Sequence, residues 1–103
     1  MRKITQQTVT HGFNKKIKRS VGNTRSTGDR LYLHGNLIAE HRVDGVWITN
    51  AGWPTPTTKD RLNAINEVSI HQKNYGWYLN GNPWDGEWVR IGSTKQSKSN
   101  MQA

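Results

Sequence analysis

The stretch that decides the fold is RLYLHGNLIAEHRVDGVWI, residues 30–48. Residues 30–34 alternate between leucine and more polar side chains, which is the period of a half-buried strand. Gly35-Asn36 and Asp44-Gly45 are two-residue hairpin signals, because such residues tolerate the positive φ that type I′ turns require. We therefore predict a meander of three antiparallel strands over Arg30–His34, Leu37–Val43 and Val46–Ile48.

A single helix is predicted after the meander, over about residues 56–68. Two start positions compete: Thr55 can cap a helix whose first residue is Pro56, or Thr57 can cap one with Asp60 three residues later. The apolar stripe that would face the sheet consists of Leu62, Ile65 and Val68.

Strands are also predicted before the meander and after the helix. Residues 69–79 predict one long strand and residues 87–91 another, while residues 17–27 offer a weaker edge strand. Together these elements predict an α+β fold, in which an antiparallel sheet of about five or six strands packs against one helix.

The chain has 103 residues, with 15 basic and 7 acidic side chains and a formal net charge of +8. Such a length suits one small domain. Residues 1–30 contain eight basic residues and one acidic residue, whereas residues 31–92 contain five basic and six acidic ones. We therefore predict a flexible basic N-terminal arm over residues 1–20, one domain over residues 21–92 and a disordered polar tail over residues 93–103.

Several classes of function have no support in the sequence. There is no cysteine, the four histidines lack metal-ligand spacing, and no paired carboxylates or glycine-rich phosphate loop occur. No apolar run is long enough to span a membrane or to act as a secretion signal. We expect a protein that is not an enzyme, has no cofactor or metal, and does not associate with a membrane.

Basic and aromatic side chains carry the functional prediction, since concentrated positive charge neutralises phosphates and exposed rings stack on bases. Most of the aromatic residues are expected to lie in the core or at its rim, and Tyr32 and Tyr78 are the best candidates for exposed rings. The start of the helix can hold a phosphate or can simply be capped by its own threonines. The predicted nucleic-acid contacts are Lys15, Lys16, Lys18, Arg19, Arg25, Arg30, Tyr32, Lys59, Arg61 and Tyr78.

Two motifs, LYLHGNLIA at residues 31–39 and NAGWPTPTTKDRLN at residues 50–63, resemble a family of small tailed-bacteriophage proteins. The resemblance covers about residues 21–79 and leaves the basic arm outside the pattern. It implies phage origin and expression in the cytoplasm of a bacterial host, and it brings no catalytic residues. Arg61 and Asn63 in the second motif either tie the helix to the sheet or form a recognition surface with Thr58 and Lys59.

Three functions follow as hypotheses. The first is a phage accessory protein that binds DNA or RNA through the basic arm and the adjacent aromatic and basic surface. The second is an inhibitor that binds a host protein such as a polymerase, nuclease or defence factor. The third is a component of the virion or of a nucleoprotein assembly.

Overall fold

The computed structural model describes residues 2–91, and antiparallel pairing joins its strands into two sheets. The strands are β1 (Lys18–Val21), β2 (Thr24–Thr27), β3 (Arg30–Leu33), β4 (Asn36–Arg42), β5 (Gly45–Ile48), β6 (Ile70–Lys73), β7 (Gly76–Leu79), β8 (Asn82–Trp84) and β9 (Val89–Ile91). The larger sheet has the strand order β1-β2-β3-β4-β5-β9, and the smaller one has the order β6-β7-β8. The predicted α+β class is confirmed, with more strands than the sequence indicated.

The predicted meander forms β3, β4 and β5, but each of its turns lies one residue earlier than predicted. In the first turn His34 and Gly35 are the central residues, with φ of 53° and 80°, and Leu33 pairs with Asn36. In the second turn Arg42 pairs with Gly45, whose φ is 132°. A histidine therefore occupies the left-handed position that the sequence assigned to Gly35.

The main helix, α2 (Pro56–Asn63), begins in the first of the two predicted positions and ends earlier than predicted. Thr55 is the N-cap, and its hydroxyl accepts a hydrogen bond from the Thr58 amide at 3.2 Å. The Asn63 side chain accepts from the Ile70 amide at 2.6 Å and donates to the Ile70 carbonyl at 3.3 Å. These bonds hold the first residue of β6 beside the end of the helix, so the chain leaves the helix there.

The N-terminal segment is folded, which corrects the prediction of a flexible arm. It comprises α1 (Lys3–Thr5), a π-helical turn (Gln6–Thr10), a 3₁₀ turn (Phe13–Lys15) and then β1. Val9 and Phe13 are fully buried in the hydrophobic core. The composition hid this packing because the few apolar residues are separated by threonine, glutamine and lysine.

Residues 69–79 form a hairpin rather than one strand. Asn74 and Tyr75 are the turn residues, both with positive φ, and Lys73 pairs with Gly76 across them. After β8 the chain returns to the larger sheet, where β9 pairs with β5. The predicted strand at residues 87–91 is therefore present, at an edge of that sheet.

One hydrophobic core fills the space between the larger sheet and the other elements. The N-terminal segment, α2 and the smaller sheet all pack against one face of the larger sheet, which we call its inner face. The core residues from that face include Leu31, Leu33, Ile38, Ala39, Ile48 and Ile91. The predicted tail at residues 93–103 lies outside the described residues. In the described part of the chain no helix is long and apolar enough to cross a membrane.

Candidate nucleic-acid interface

The opposite face of the larger sheet, which we call the outer face, carries basic and aromatic side chains. Strand alternation places them there: Leu31 and Leu33 are buried while Tyr32 between them is half-buried. The register then aligns Arg25 with Tyr32 and Trp47 with both Glu40 and Arg90. The residues of this face are Lys18, Ser20, Arg25, Thr27, Arg30, Tyr32, Leu37, Glu40, Arg42, Trp47 and Arg90.

Each aromatic ring on or beside the outer face lies under a guanidinium group. The Arg25 guanidinium stands 4.7 Å from the centre of the Tyr32 ring. Arg42 lies 4.6 Å from the Trp47 ring and 5.0 Å from the ring of Trp88. The attraction between cation and ring fixes these long side chains and presents flat guanidinium planes to solvent.

Positive charge outweighs negative charge on this face. Five basic side chains share it with Glu40, which pairs with Arg30 and Arg42 at 3.2 Å each. At the adjacent turn Asp44 accepts a hydrogen bond from the Trp47 indole at 2.8 Å and lies 3.8 Å from Arg90. The carboxylates thus orient the basic side chains and leave a net positive face.

Two neighbouring groups on the outer face favour the charged form of Arg30. The neighbouring Tyr32 hydroxyl and the Glu40 carboxylate, which accepts a hydrogen bond from the Arg30 Nε at 3.2 Å, raise the pKa of Arg30 above its ordinary value. Because Arg30 and Tyr32 are two residues apart on one strand, they share the outer face. This arrangement keeps a permanent cation beside an aromatic ring.

The predicted basic residues of the N-terminal third are all exposed, but they do not share one face. Lys18 is opposite Thr27, on the outer face. Arg19 is opposite the buried Ser26, so it points to the inner side at the edge of the sheet. Lys15 and Lys16 lie in the preceding turn, where the Lys16 carbonyl is close to Gly28 and thus to the end of the outer face.

The remaining predicted contacts lie elsewhere. Lys59 is a half-buried residue of α2, which packs on the inner face. Tyr78 is half-buried on the smaller sheet, where it pairs with His71 and Pro83. The structure therefore does not bring Tyr78 together with Tyr32.

Arg61 is a structural residue, which corrects its prediction as a nucleic-acid contact. Only 1% of it is exposed, and burial lowers the pKa of its guanidinium from the ordinary value. The guanidinium donates to the Thr24 and Thr5 hydroxyls at 2.8 Å each and to Asp60 at 3.0 Å. A further bond reaches the Asn23 side chain at 3.2 Å. Arg61 thus joins α2, β2 and the N-terminal segment. This agrees with the hypothesis that Arg61 ties the helix to the sheet, rather than with a recognition surface.

The sequence profile of the Kyanoviridae Gp96 protein family matches residues 1–96. The chain belongs to this family of phage proteins. The match includes residues 1–20, so the basic segment lies inside the pattern common to the Gp96 family, unlike the narrower resemblance of residues 21–79. No curated protein and no solved structure shows significant similarity to the chain.

In this Gp96 family member, sequence analysis missed three residues of the outer face, Arg42, Trp47 and Arg90, and also Trp88 beside it. The available signal was the alternation in β4 and β5, where Trp47 lies between Val46 and Ile48 and directly precedes a buried position. The rings were expected mainly in the core. Trp77 does lie there, only 8% exposed, whereas Trp47 turns outward.

Of the four histidines, His41 is packed against the N-terminal segment. The His41 ring stacks on Phe13 with 4.2 Å between ring centres, and its Nε2 lies 2.8 Å from the Phe13 carbonyl oxygen. Among residues 2–91 no three side chains of His, Asp or Glu converge in a way that would hold a metal ion.

Proposed function

We propose that this Gp96 family protein binds single-stranded nucleic acid on the outer face of its larger sheet, without catalysing a reaction. The observation that carries the proposal is the coincidence of stacked guanidinium and aromatic groups on one exposed face: Arg25 on Tyr32, and Arg42 on Trp47 and Trp88. Exposed rings and guanidinium planes on a sheet are the groups on which unpaired bases stack.

The dimensions of the sheet favour a single strand over a duplex. Six strands spaced about 4.8 Å apart make a surface about 24 Å wide. A major groove is only about 12 Å wide, so such a surface cannot enter it to reach the edges of paired bases. Unpaired bases can instead lie flat against the guanidinium planes that cover the rings, while their phosphates meet the basic side chains.

The charge of the face predicts a definite salt dependence. Five phosphate contacts, from Lys18, Arg25, Arg30, Arg42 and Arg90, correspond to a slope of about −3.5 in a plot of log K against log salt. The affinity for a single strand should then fall about 100-fold between 50 and 200 mM salt. These contacts are to the backbone, so they give little preference for sequence.

The test measures fluorescence anisotropy with labelled single strands of DNA and RNA about 20 nucleotides long, and with a duplex of the same length. We expect the single strands to bind more tightly than the duplex. Replacing two stacked arginines, Arg25→Ala with Arg42→Ala, should weaken binding at least tenfold and reduce the salt slope by about 1.4.

A charge-matched control separates the outer face from general positive charge. Lys59→Ala with Lys73→Ala also removes two positive charges, from α2 and from the smaller sheet, and should leave the affinity within about twofold. Equal losses in both double variants, or tighter binding of the duplex, would contradict the proposal. A host protein that binds the wild type after nuclease treatment, with no measurable affinity for oligonucleotides, would favour an inhibitor. The bacterial cytoplasm during infection is the proposed site of action.

A further inference from the structure

A second site lies on the inner side of the larger sheet, between the β3–β4 turn and the start of α2. It is a cavity of about 340 Å³, within the range of cavities that hold small ligands. The Trp53 ring, Leu33 and Ile38 supply the apolar part of its lining. The polar part comes from His34, Asn36, Asn50, Thr55, Thr57 and Thr58. Both motifs of the sequence, residues 31–39 and 50–63, therefore converge on this cavity, although they are separated in the chain.

The amide groups of the lining have hydrogen-bonding capacity to spare. Asn50 is only 7% exposed, and its Oδ1 accepts from the Gly52 amide at 2.8 Å. Among residues 2–91, neither the Asn50 Nδ2 nor the Asn36 side chain donates a hydrogen bond to the protein, and the Asn50 amide packs directly against Gly86. A buried donor without an acceptor costs stability. A ligand that offers an acceptor to Asn50 would remove that cost.

The shape and charge of the lining indicate which chemical class of ligand would fit the cavity. Neither a carboxylate nor a lysine or arginine lines the cavity, so the part of the ligand that enters it is uncharged. The Trp53 ring, 58% exposed, offers a flat apolar face at this site. Asparagine amides carry a donor and an acceptor side by side, which matches the edge of a nucleobase.

We propose that this cavity binds one nucleobase, stacked on Trp53 and hydrogen-bonded by Asn36 and Asn50. A phosphate attached through the sugar would lie near Arg2, whose Nη1 donates to the Thr57 hydroxyl at 3.2 Å. The site is separate from the outer face, because its apolar residues Leu33 and Ile38 belong to the inner face. It can therefore exist whether or not a strand binds to the outer face.

The test follows the indole and side-chain amide signals of isotope-labelled protein by NMR during titration with the four nucleoside 5′-monophosphates. We expect saturable shifts of the Trp53 indole and the Asn36 amide, with one base preferred. The base-free ligand ribose 5-phosphate should leave both signals unchanged. Trp53→Ala should weaken binding at least tenfold, and Tyr75→Ala, which removes another exposed ring at the β6–β7 turn, should leave it unchanged. Arg2→Ala should reduce the affinity for the monophosphate to that for the nucleoside.

A free nucleotide and an unpaired base of a strand share this chemistry, and Trp53→Ala distinguishes them. The variant lowers the affinity for oligonucleotides only if the base comes from a strand, and it lowers the affinity for monophosphates in either case. Absence of shifts at about 10 mM ligand, shifts confined to Trp47 and Trp88, or equal shifts with ribose 5-phosphate would overturn the proposal. None of these results would bear on the proposal that the outer face binds a single strand. That proposal is tested by the loss of strand binding in the double variant of Arg25 and Arg42.

Discussion

The two faces of the larger sheet use arginine in opposite ways. Against the inner face, Arg61 of α2 is 1% exposed and gives its hydrogen bonds to Thr5, Thr24, Asn23 and Asp60. On the outer face Arg25 and Arg42 lie over aromatic rings in solvent. The difference teaches that a count of positive charges says little about binding until each charge is assigned to a face.

The strongest test of this comparison concerns the inner face and the N-terminal segment. Phe13→Ala should lower the free energy of unfolding by about 4 kcal/mol, because it removes a fully buried ring from the core. Urea unfolding followed by tryptophan fluorescence measures the loss. Lys15→Ala, two residues away and exposed, should stay within about 0.5 kcal/mol. A loss below about 1 kcal/mol for Phe13→Ala would restore the description of this segment as an arm.

The second prediction concerns the buried arginine. Arg61→Met should lower the free energy of unfolding by about 3 kcal/mol, since it leaves Asp60 and three polar side chains without their shared donor. Arg90→Met, in which an exposed arginine of β9 is replaced in the same way, should change it by less than about 0.5 kcal/mol. Thermal and urea unfolding of the two variants measure both changes in the free energy of unfolding. Similar losses in both would show that the two faces do not differ as described.

The third prediction concerns a ring beside the outer face. Trp88→Ala should weaken binding of a 20-nucleotide single strand by about 2 kcal/mol, the contribution of one stacked base. Tyr75→Ala provides the matched control, because Tyr75 is 99% exposed but lies at the β6–β7 turn of the smaller sheet. Anisotropy titrations should show a loss only for Trp88→Ala. Equal losses would mean that exposed rings act without regard to the face they occupy.

The smallest expected effect distinguishes the two possible helix starts. Thr55→Ala removes the side chain that accepts from the Thr58 amide, so it should lower the free energy of unfolding by about 1 kcal/mol. Thr57→Ala removes the competing cap and only an exposed bond from Arg2, and should cost less than about 0.5 kcal/mol. The same urea series provides both values, and the reverse order would place the cap at Thr57.

Local patterns in the sequence predicted the meander and the helix start well. Alternation over residues 30–34 and the Thr55-Pro56 pair depend on neighbours in the chain. The turn positions were wrong by one residue because His34 adopts a positive φ of 53°, which composition alone assigns to glycine or asparagine. The hairpin at Asn74-Tyr75 was missed for a similar reason, since a tyrosine at positive φ is unusual.

Long-range contacts were beyond the reach of local patterns. Arg61 contacts Thr5 across 56 positions of the chain, and its charge alone suggested an exposed contact. Phe13 is buried in the hydrophobic core, where His41 stacks on it, and no spacing in the sequence links these two residues. Half of the basic and aromatic residues of the candidate interface were predicted, namely Lys18, Arg25, Arg30 and Tyr32. Their charge or ring marked them in the sequence, and only Arg30 and Tyr32 lie in a strand with clear alternation.

The charges at the borders of the two sheets have a consequence for how copies of the protein meet. Open sheet edges present unpaired amide and carbonyl groups that invite strand-to-strand aggregation. Here each border strand is three or four residues long and carries a feature that discourages such pairing. The features are Lys18 and Arg19 in β1, Arg90 in β9, Lys73 in β6 and Pro83 in β8. Part of the positive charge therefore protects the solubility of the folded chain at high concentration, a requirement that applies whether or not a ligand is bound.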